Sequence, residues 1–247
     1  MEAVLNIVRP TQRELARPVS EEPKGRTRMS GIYELLRRDI LECRLKPGMR
    51  LRFEELRALY EIGLSPLREA LMKLASDGLV VLEAHKGFRV APVSRSDLLD
   101  ITFMRKEFDA TGIKLSIEKG DDAWEASIVA SLHELSKKPK LGSEGLLDGE
   151  WEKRHRAFHL TLVSACGSPW LLHFREQLYD QADRYRRLSV QYLREPRDHL
   201  GEHREIAEAT LARDADAAVF LIRRHLDRTI QILLAADEIL SPERPGD

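Results

Sequence analysis

The chain has few cysteines and no long apolar run, and each of these scarcities excludes a class of protein. Its net charge is also close to zero. Only two of its 247 residues are cysteine, which is too few for a disulfide framework and favours a reducing cytoplasm. No stretch approaches the roughly 20 apolar residues of a membrane-spanning helix, so we expect no membrane partner. Prolines interrupt residues 1–27, and we interpret this segment as a tail rather than a secretory signal.

The composition that is present predicts a folded protein with two modules. Hydrophobic residues make up 43% of the chain and charged residues 33%, which excludes disorder for most of it. Residues 28–94 hold 12 basic against 9 acidic residues, whereas residues 95–247 hold 23 against 28. A basic front module (28–94) and an acidic back module (95–240) suggest two tasks. Two ordinary solvated surfaces explain this charge difference equally well.

The front module shows three helical segments with readable ends. Apolar residues at helical spacing form a first helix that ends before Pro47-Gly48 and a second that ends before Gly63. A third helix is predicted to begin at Ser65, whose hydroxyl would cap the free amides while Pro66 occupies a position that needs no N–H. Gly78 is predicted to end this helix.

The pattern then changes to two short β segments. Residues 79–82 and 88–90 flank a turn at residues 84–87 with a basic tip, which predicts a hairpin. Three short helices followed by a basic hairpin are typical of a winged helix-turn-helix. In that fold the third helix enters the DNA major groove and the wing touches the phosphate backbone.

Arg68 is the predicted base-reading residue, because it lies on the exposed first turn of the third helix. A guanidinium that binds guanine O6 and N7 contributes about 1–3 kcal/mol of discrimination. The alternative is a surface ion pair with Glu69 or Glu61. The other predicted DNA-contacting residues are Arg52, Ser65, Lys73, His85, Lys86 and Gly87. The charged ones among them would add phosphate affinity, or each could simply be solvated.

These residues carry a family resemblance. The run 40–51, the string Pro66-Leu67-Arg68-Glu69-Ala70-Leu71 and the run 86–90 resemble the DNA-binding domain of the GntR family of bacterial transcription regulators. The resemblance implies a homodimer that binds double-stranded operator DNA. Gly63-Leu64 stands where the family usually has a Ser-Arg pair, so one base-reading arginine is missing and an operator sequence does not transfer.

The back module is predicted to be an all-helical bundle, because its apolar residues follow helical spacing without strand alternation. The six predicted helices cover 96–119, 121–135, 146–166, 168–193, 196–213 and a last segment capped by Asp214. The fold class is therefore mainly α, a winged helix-turn-helix followed by a six-helix bundle.

Four of the eight histidines fall on the inward stripes of three of these helices. His155 and His159 lie on the third, His203 on the fifth and His225 on the sixth. A single inward imidazole is usually a hydrogen-bonded core residue, but several that converge are better explained by a divalent ion that takes their lone pairs. We interpret His133, His173 and His199 as surface or local contacts.

Arg105 lies on the inward stripe of the first helix of the bundle, and a buried guanidinium needs an anion. Asp109, one turn further along, is one candidate partner. A bound carboxylate is the other, and the spacing does not separate them.

The back module resembles the helical effector-binding (FCD) domain of the FadR-type branch of the same family. Phe158-His159, His203 and His225 match its histidines, and Arg105 matches its first-helix arginine. The resemblance implies a bound metal with a small carboxylate beside it. His155 stands where the branch has an acid, and it either ligates and favours zinc or nickel or does not ligate.

More narrowly, Cys166-Gly167-Ser168 and the run 182–186 resemble the carbon-starvation regulators that repress the catabolism of glutarate and related acids. The resemblance implies a C4–C5 dicarboxylate or a hydroxy acid as effector.

The sequence thus predicts a ligand-responsive repressor. A metal-dependent hydrolase is one alternative, but Arg156 follows His155 where a zincin helix has its catalytic glutamate. A DNA-binding protein with a purely structural dimerisation domain is the other.

Overall fold

A computed structural model describes residues 28–142, 147–189 and 197–235. The chain divides into two compact units between Pro92 and Val93. Among the described residues, no helix combines the length and the apolar composition that crossing a bilayer requires. The predicted tail (1–27) and the end of the predicted back module (236–240) lie outside the described residues.

The described part of the first unit contains three helices and three short strands. Its elements are α1 (Arg28–Leu41), β1 (Arg50–Leu51), α2 (Phe53–Tyr60), α3 (Leu64–Ser76), β2 (Val80–Glu83) and β3 (Gly87–Val90). The inward faces of α1 and α3 meet in a core in which Leu36, Leu67 and Leu71 are fully buried. This burial holds the opposite face of α3 in solvent.

The predicted start of the third helix is wrong by one residue. Helix α3 begins at Leu64, and its N-cap is Gly63, which offers no side-chain cap. Ser65 therefore lies inside the first turn and does not cap the helix. Glycine is an accepted N-cap. Pro66 still suits the first turn from one position further along, because it has no N–H that needs a partner.

The wing has three strands, one more than predicted. Strand β3 pairs antiparallel with β2, from Val80↔Val90 to Glu83↔Gly87, and also with β1. A two-residue strand is too short to show alternation, so β1 had no signal in the sequence. At the tip, His85 and Gly87 both have positive φ, which closes the three-residue turn.

The second unit is all helical in its described part. Its elements are α4 (Arg95–Lys119), α5 (Asp122–Ser136), α6 (Gly149–Thr161), α7 (Pro169–Ser189), α8 (His199–Leu211) and α9 (Ala215–Ala235). Short polar side chains cap most of the N-termini: Ser94, Asp121, Asp148, Asp198 and Asp214 each accept a backbone N–H. These caps satisfy amides that a helix leaves free.

Two helices of the bundle are shorter than predicted. Helix α6 covers Gly149–Thr161 rather than 146–166, because Asp148 caps it and the chain after Thr161 turns until Gly167, which has φ of 71°. Helix α8 begins at His199 rather than at Pro196. Residues 146, 190–193 and 196 lie outside the described part of the chain.

Helix α4 packs against α7, α8 and α9, and this arrangement positions the site. Gly112 makes a close approach possible, since a Cβ there would lie 2.8 Å from Cγ1 of Val163. The buried faces of α6, α8 and α9 contribute Phe158, Ile206 and Ile222 to one apolar core. The inward histidines occupy the same faces.

Candidate metal and anion site

Four buried imidazoles meet in the interior of the bundle. Helix α6 supplies His155 and His159 one turn apart, α8 supplies His203 and α9 supplies His225. One ligand nitrogen from each of the four lies within 4.8 Å of the others. Nε2 of His159 is 3.1 Å from Nε2 of His155 and 3.2 Å from Nε2 of His203. The structure therefore brings together all four histidines that the helical spacing singled out.

Partners behind two of the rings leave Nε2 directed at the cluster. Nδ1 of His225 is 2.8 Å from a carboxylate oxygen of Glu202, and Nδ1 of His203 is 2.5 Å from the carbonyl oxygen of His199. Both partners only accept, so each Nδ1 donates and each neutral ring keeps its lone pair on Nε2. Such outer partners are typical of histidines that bind a metal.

The cluster is neutral at pH 7. Burial, reinforced by neighbouring cationic groups, holds the pKa values of His155, His159 and His203 well below the ordinary value. Burial also lowers the pKa of His225, to about 4, although Glu202 opposes the shift. Neutral imidazoles offer lone pairs without first losing a proton.

The spacing of the nitrogens fits a metal ion. Two ligands about 2.0–2.1 Å from a tetrahedral zinc ion lie ~3.3 Å apart, close to the 3.1 and 3.2 Å observed. Nδ1 of His159, which faces away from these contacts, is buried without a hydrogen-bond partner, and an ion at Nε2 would not change that. The donor set and the two distances are compatible with a zinc-like ion.

His155 has two contacts that demand opposite tautomers. Tyr179 donates to Glu152, so the Tyr179 oxygen, 2.7 Å from Nδ1 of His155, accepts a hydrogen bond from the N–H of that nitrogen. A guanidinium N–H of Arg186 lies 2.9 Å from the same Nδ1 and only donates. The first contact leaves Nε2 of His155 free to ligate, whereas the second places the proton on Nε2. Ligation by His155 thus requires the Tyr179 contact to prevail.

Arg105 is buried without a hydrogen bond. Its side chain stacks near the ring of Tyr179, with the guanidinium carbon 5.1 Å from the ring centroid, and no described residue forms a hydrogen bond or ion pair with it. Asp109, the partner that the spacing offered, pairs instead with Arg175 of α7 at 2.5 Å. Burial lowers the pKa of Arg105 to about 10, so the guanidinium remains charged at pH 7.

A cavity of about 40 Å³, measured as the space open to water centres, connects these groups. One water molecule needs about 10–15 Å³ on this measure, so the cavity holds a few waters or a small ligand. Apart from Thr229, its polar lining is cationic or imidazole: Arg105, Lys140, Arg186, Arg197, His155, His159, His199 and His225. Such a lining favours an anionic ligand.

Several residues of the site were not predicted. His199 lines the cavity, so its interpretation as a surface or local contact is wrong. Three further residues contribute to the site through contacts with residues distant along the chain, and their sequence spacing does not indicate those contacts: Glu202, Arg186 and Arg197. Glu202 directly precedes His203, but only the packing of α8 against α9 places it behind His225.

The predicted DNA-contacting residues lie mainly on the exposed surface of the first unit. Arg68 is exposed and, among the described residues, pairs with neither Glu61 nor Glu69. Arg52 is 70% exposed and pairs with Glu55 on its own helix. The ammonium of Lys73 lies 3.9 Å from the ring centroid of Tyr33. Ser65, His85 and Lys86 are exposed, and Gly87 is partly buried.

Comparison with known proteins identifies both units. The family described as bacterial regulatory proteins, gntR family, matches residues 28–90, and the FCD domain matches residues 100–228. The HTH-type transcriptional repressor GlaR of Escherichia coli K12 is 41% identical over 212 residues, which cover 83% of this chain and 94% of GlaR. BphR of Paraburkholderia xenovorans LB400, an HTH-type transcriptional regulator, is 36% identical over 210 residues, 84% of this chain and 86% of BphR.

Solved structures support the same architecture. McbR/YncC of Escherichia coli superposes with a TM-score of 0.71 at 22% identity, over 85% of this chain and 98% of that one. The matched families and relatives are DNA-binding transcription regulators rather than enzymes. The chain therefore belongs to the GntR family of bacterial regulatory proteins, in the branch that joins a winged helix-turn-helix to an FCD domain.

Proposed function

We propose that this protein is a homodimeric repressor whose affinity for operator DNA is controlled by a small carboxylate bound beside a metal ion in the FCD domain. The ion is zinc or nickel, held by His155, His159, His203 and His225. The effector is a C4–C5 dicarboxylate or a hydroxy acid. The observation that carries the proposal is the convergence of four buried neutral imidazoles beside a cavity that three of them line together with Arg105, whose guanidinium has no hydrogen bond or ion pair among the described residues.

The DNA-binding part of the proposal rests on the exposed face of α3. Arg68 lies on the first turns of that helix, is exposed and has no ion-pair partner in the described part of the chain, so its guanidinium can bind a guanine edge. His85 and Lys86 at the wing tip and Arg52 at the start of α2 are exposed cations or potential cations. They are assigned phosphate contacts, which add affinity but no sequence preference.

The effector part rests on uncompensated positive charge. Arg105 is 5% exposed, and a buried guanidinium without an anion is costly. Asp109 attracts this charge but forms no hydrogen bond with it, and Oδ1 of Asp109 binds Arg175 instead. A divalent ion bound by the imidazoles adds two more positive charges and polarises an oxygen of a ligand beside it. A carboxylate at this position would bind Arg105 and add a fifth ligand to the ion, an expansion beyond the tetrahedral set that zinc tolerates.

Control of DNA binding follows from linkage. An effector that binds one arrangement of the two modules better than another shifts the population toward it. The change in operator affinity then equals the change in effector affinity, typically five- to 150-fold. The proposal requires only a change in the populations of these arrangements and no further conformational change.

The rival functions lack their chemical requirements. A hydrolase needs a general base near the metal, but Arg156 follows His155 and is engaged by Glu176 at 2.8 Å and by Asp180. The nearby Glu152 and Glu202 are each bound by an arginine. A purely structural dimerisation domain leaves the unpaired Arg105 and the cationic cavity unexplained.

The proposal is tested with DNA selected from a random pool by the purified full-length protein. Fluorescence anisotropy then measures affinity for the selected site in zinc buffer, with and without succinate, glutarate and 2-hydroxyglutarate. We expect one of these acids to change the affinity at least fivefold. An acid that binds, by calorimetry, without changing DNA affinity would contradict the proposal.

The metal is tested separately. His203→Ala combined with His225→Ala removes two ligands, so elemental analysis of the purified variant should find less than a tenth of the wild-type metal. His133→Ala combined with His173→Ala, both exposed positions, is the matched control and should retain it. Full retention in the first variant would refute the site.

A further inference from the structure

The cavity contains four cationic side chains, and two of them are already neutralised. Arg186 donates to Glu152 at 2.7 Å and to Asp183 at 2.9 Å. Arg197 forms a two-bond pair with Glu202, with N–O distances of 2.9 and 2.5 Å. Arginines held in this way are anchored as well as neutralised. The two remaining cations, Arg105 and Lys140, have no such carboxylate.

Lys140 lies in the segment after α5, and its amine faces the cavity. Nζ is 2.8 Å from Nε2 of His199 and 5.7 Å from the centroid of the Trp151 ring. No carboxylate of the described residues pairs with it. An ammonium has three donors, so the contact with His199 leaves two that are free for a ligand.

The neighbouring lysines behave differently. Lys137 pairs with Glu134 at 2.9 Å on the exposed surface, and Lys138 is exposed. Lys140 alone of these three lines the cavity. Burial, together with the nearby Arg186 and Arg197, lowers its pKa to about 7, so about half of the amines are protonated at pH 7 and a bound anion would favour the ammonium form. A contact that served only to tie this segment to α8 would not need an amine held among other cations.

Arg105 and Lys140 reach the cavity from different parts of the bundle and against different neighbours. Arg105 comes from α4 and lies against Tyr179, whereas Lys140 lies against Trp151 at the start of α6 and against His199 at the start of α8. No contact joins the two side chains directly among the described residues. Two unneutralised cations that share one cavity without touching are suited to a ligand with an anionic group at each end.

We propose that Lys140, positioned by His199, is a second anion-binding end of the cavity, so that the effector is a dicarboxylate: one carboxylate binds at Arg105 and the imidazole cluster, and the other binds Lys140. This inference rests on the proposed function, because it assumes a carboxylate at the first end. It assigns to Lys140 the discrimination between dicarboxylates and monocarboxylates of equal length. A hydroxy acid with a single carboxylate would leave Lys140 without its anion.

The test compares acids that differ in one carboxylate. Isothermal titration calorimetry on the zinc-loaded full-length protein measures the Kd of glutarate against pentanoate and of succinate against butanoate. We expect the wild type to bind the better dicarboxylate at least tenfold more tightly than its monocarboxylate partner. Lys140→Met should weaken dicarboxylate binding to the monocarboxylate level and leave monocarboxylate binding unchanged within twofold.

Three further variants make the result specific. Lys140→Gln keeps a hydrogen bond with His199 but not the charge, and should behave as Lys140→Met does even if the methionine variant folds poorly. Lys140→Arg should retain the preference for the dicarboxylate. Lys138→Met is the matched surface control and should equal the wild type. A thermal melt without ligand checks that each variant is folded.

The outcomes separate the two proposals. Equal affinity of the wild type for both acids of each pair, or equal weakening of both by Lys140→Met, would overturn the second end and leave the proposed function intact. Binding of neither these four acids nor 2-hydroxyglutarate would overturn the carboxylate effector itself, and the second end with it.

Discussion

At the scale of single residues, the site depends on the groups behind the imidazoles as much as on the imidazoles. Burial alone would raise the pKa of Glu202, but hydrogen bonds from Arg197 and His225 outweigh it and hold that pKa well below its ordinary value. The carboxylate is therefore ionised and fixes the proton of His225 on Nδ1. Removing the charge of Glu202 should therefore weaken the binding of a metal ion that Glu202 does not contact.

We expect Glu202→Gln to weaken zinc binding about ten- to hundred-fold, the usual effect of losing such a partner. Competition with a chromophoric chelator measures the affinity. Glu205→Gln is the control, since Glu205 lies on the same helix but pairs with Arg224 at the surface. Equal zinc affinities in the two variants would show that Glu202 does not orient a ligand.

A second residue-scale prediction separates base reading from phosphate binding. Arg68→Ala should remove the preference at one base pair of the selected site, a loss of about 1–3 kcal/mol. Arg52→Ala should weaken binding to all sequences alike and reduce its salt dependence. Anisotropy titrations with the selected site and with single-base variants, at two salt concentrations, measure both effects. Unchanged discrimination by Arg68→Ala would contradict its placement in the major groove.

At the scale of helices and strands, local signals predicted most elements but not all of their limits. The N-caps at Asp121 and Asp214 could be predicted because each is a short polar residue that precedes a stripe of apolar residues. The start of α3 was misplaced because Gly63 and Ser65 both suit an N-cap, and only the packed helix decides between them. Strand β1 was missed because it exists only through its pairing with β3.

The packing of α4 gives an element-scale prediction. Asp109→Ala should lower the free energy of unfolding by about 3–5 kcal/mol, since it removes the closest carboxylate of the buried guanidinium of Arg175 and leaves only a 3.4 Å contact with Glu176. Glu107→Ala, on the same helix, breaks an exposed pair with Arg223 and should cost about 0–1 kcal/mol. Chemical denaturation measures both. Similar losses in the two variants would contradict the structural role of the Asp109–Arg175 pair.

At the scale of the whole molecule, the proposal requires a coupling free energy between effector binding in one module and operator binding in the other. If the dicarboxylate changes operator affinity by some factor, saturating operator DNA must change dicarboxylate affinity by the same factor. Anisotropy and calorimetry measure the two sides independently. Arg105→Met should abolish both changes while zinc content and DNA affinity without effector remain as in the wild type. Unequal factors would show that the coupling does not run through binding equilibria.

The order of the modules, the helical periods and the four inward histidines were determined by the sequence alone, because periodicity and end signals are local properties of a chain. The tertiary structure decided the partners: Arg175 rather than Arg105 binds Asp109, Glu202 supports His225, and Lys140 with His199 joins the cavity. A charged side chain pairs with the opposite charge that lies within a few ångströms of it. Which group lies that close depends on how separate helices cross, and the spacing of residues along one helix contains no information on that crossing.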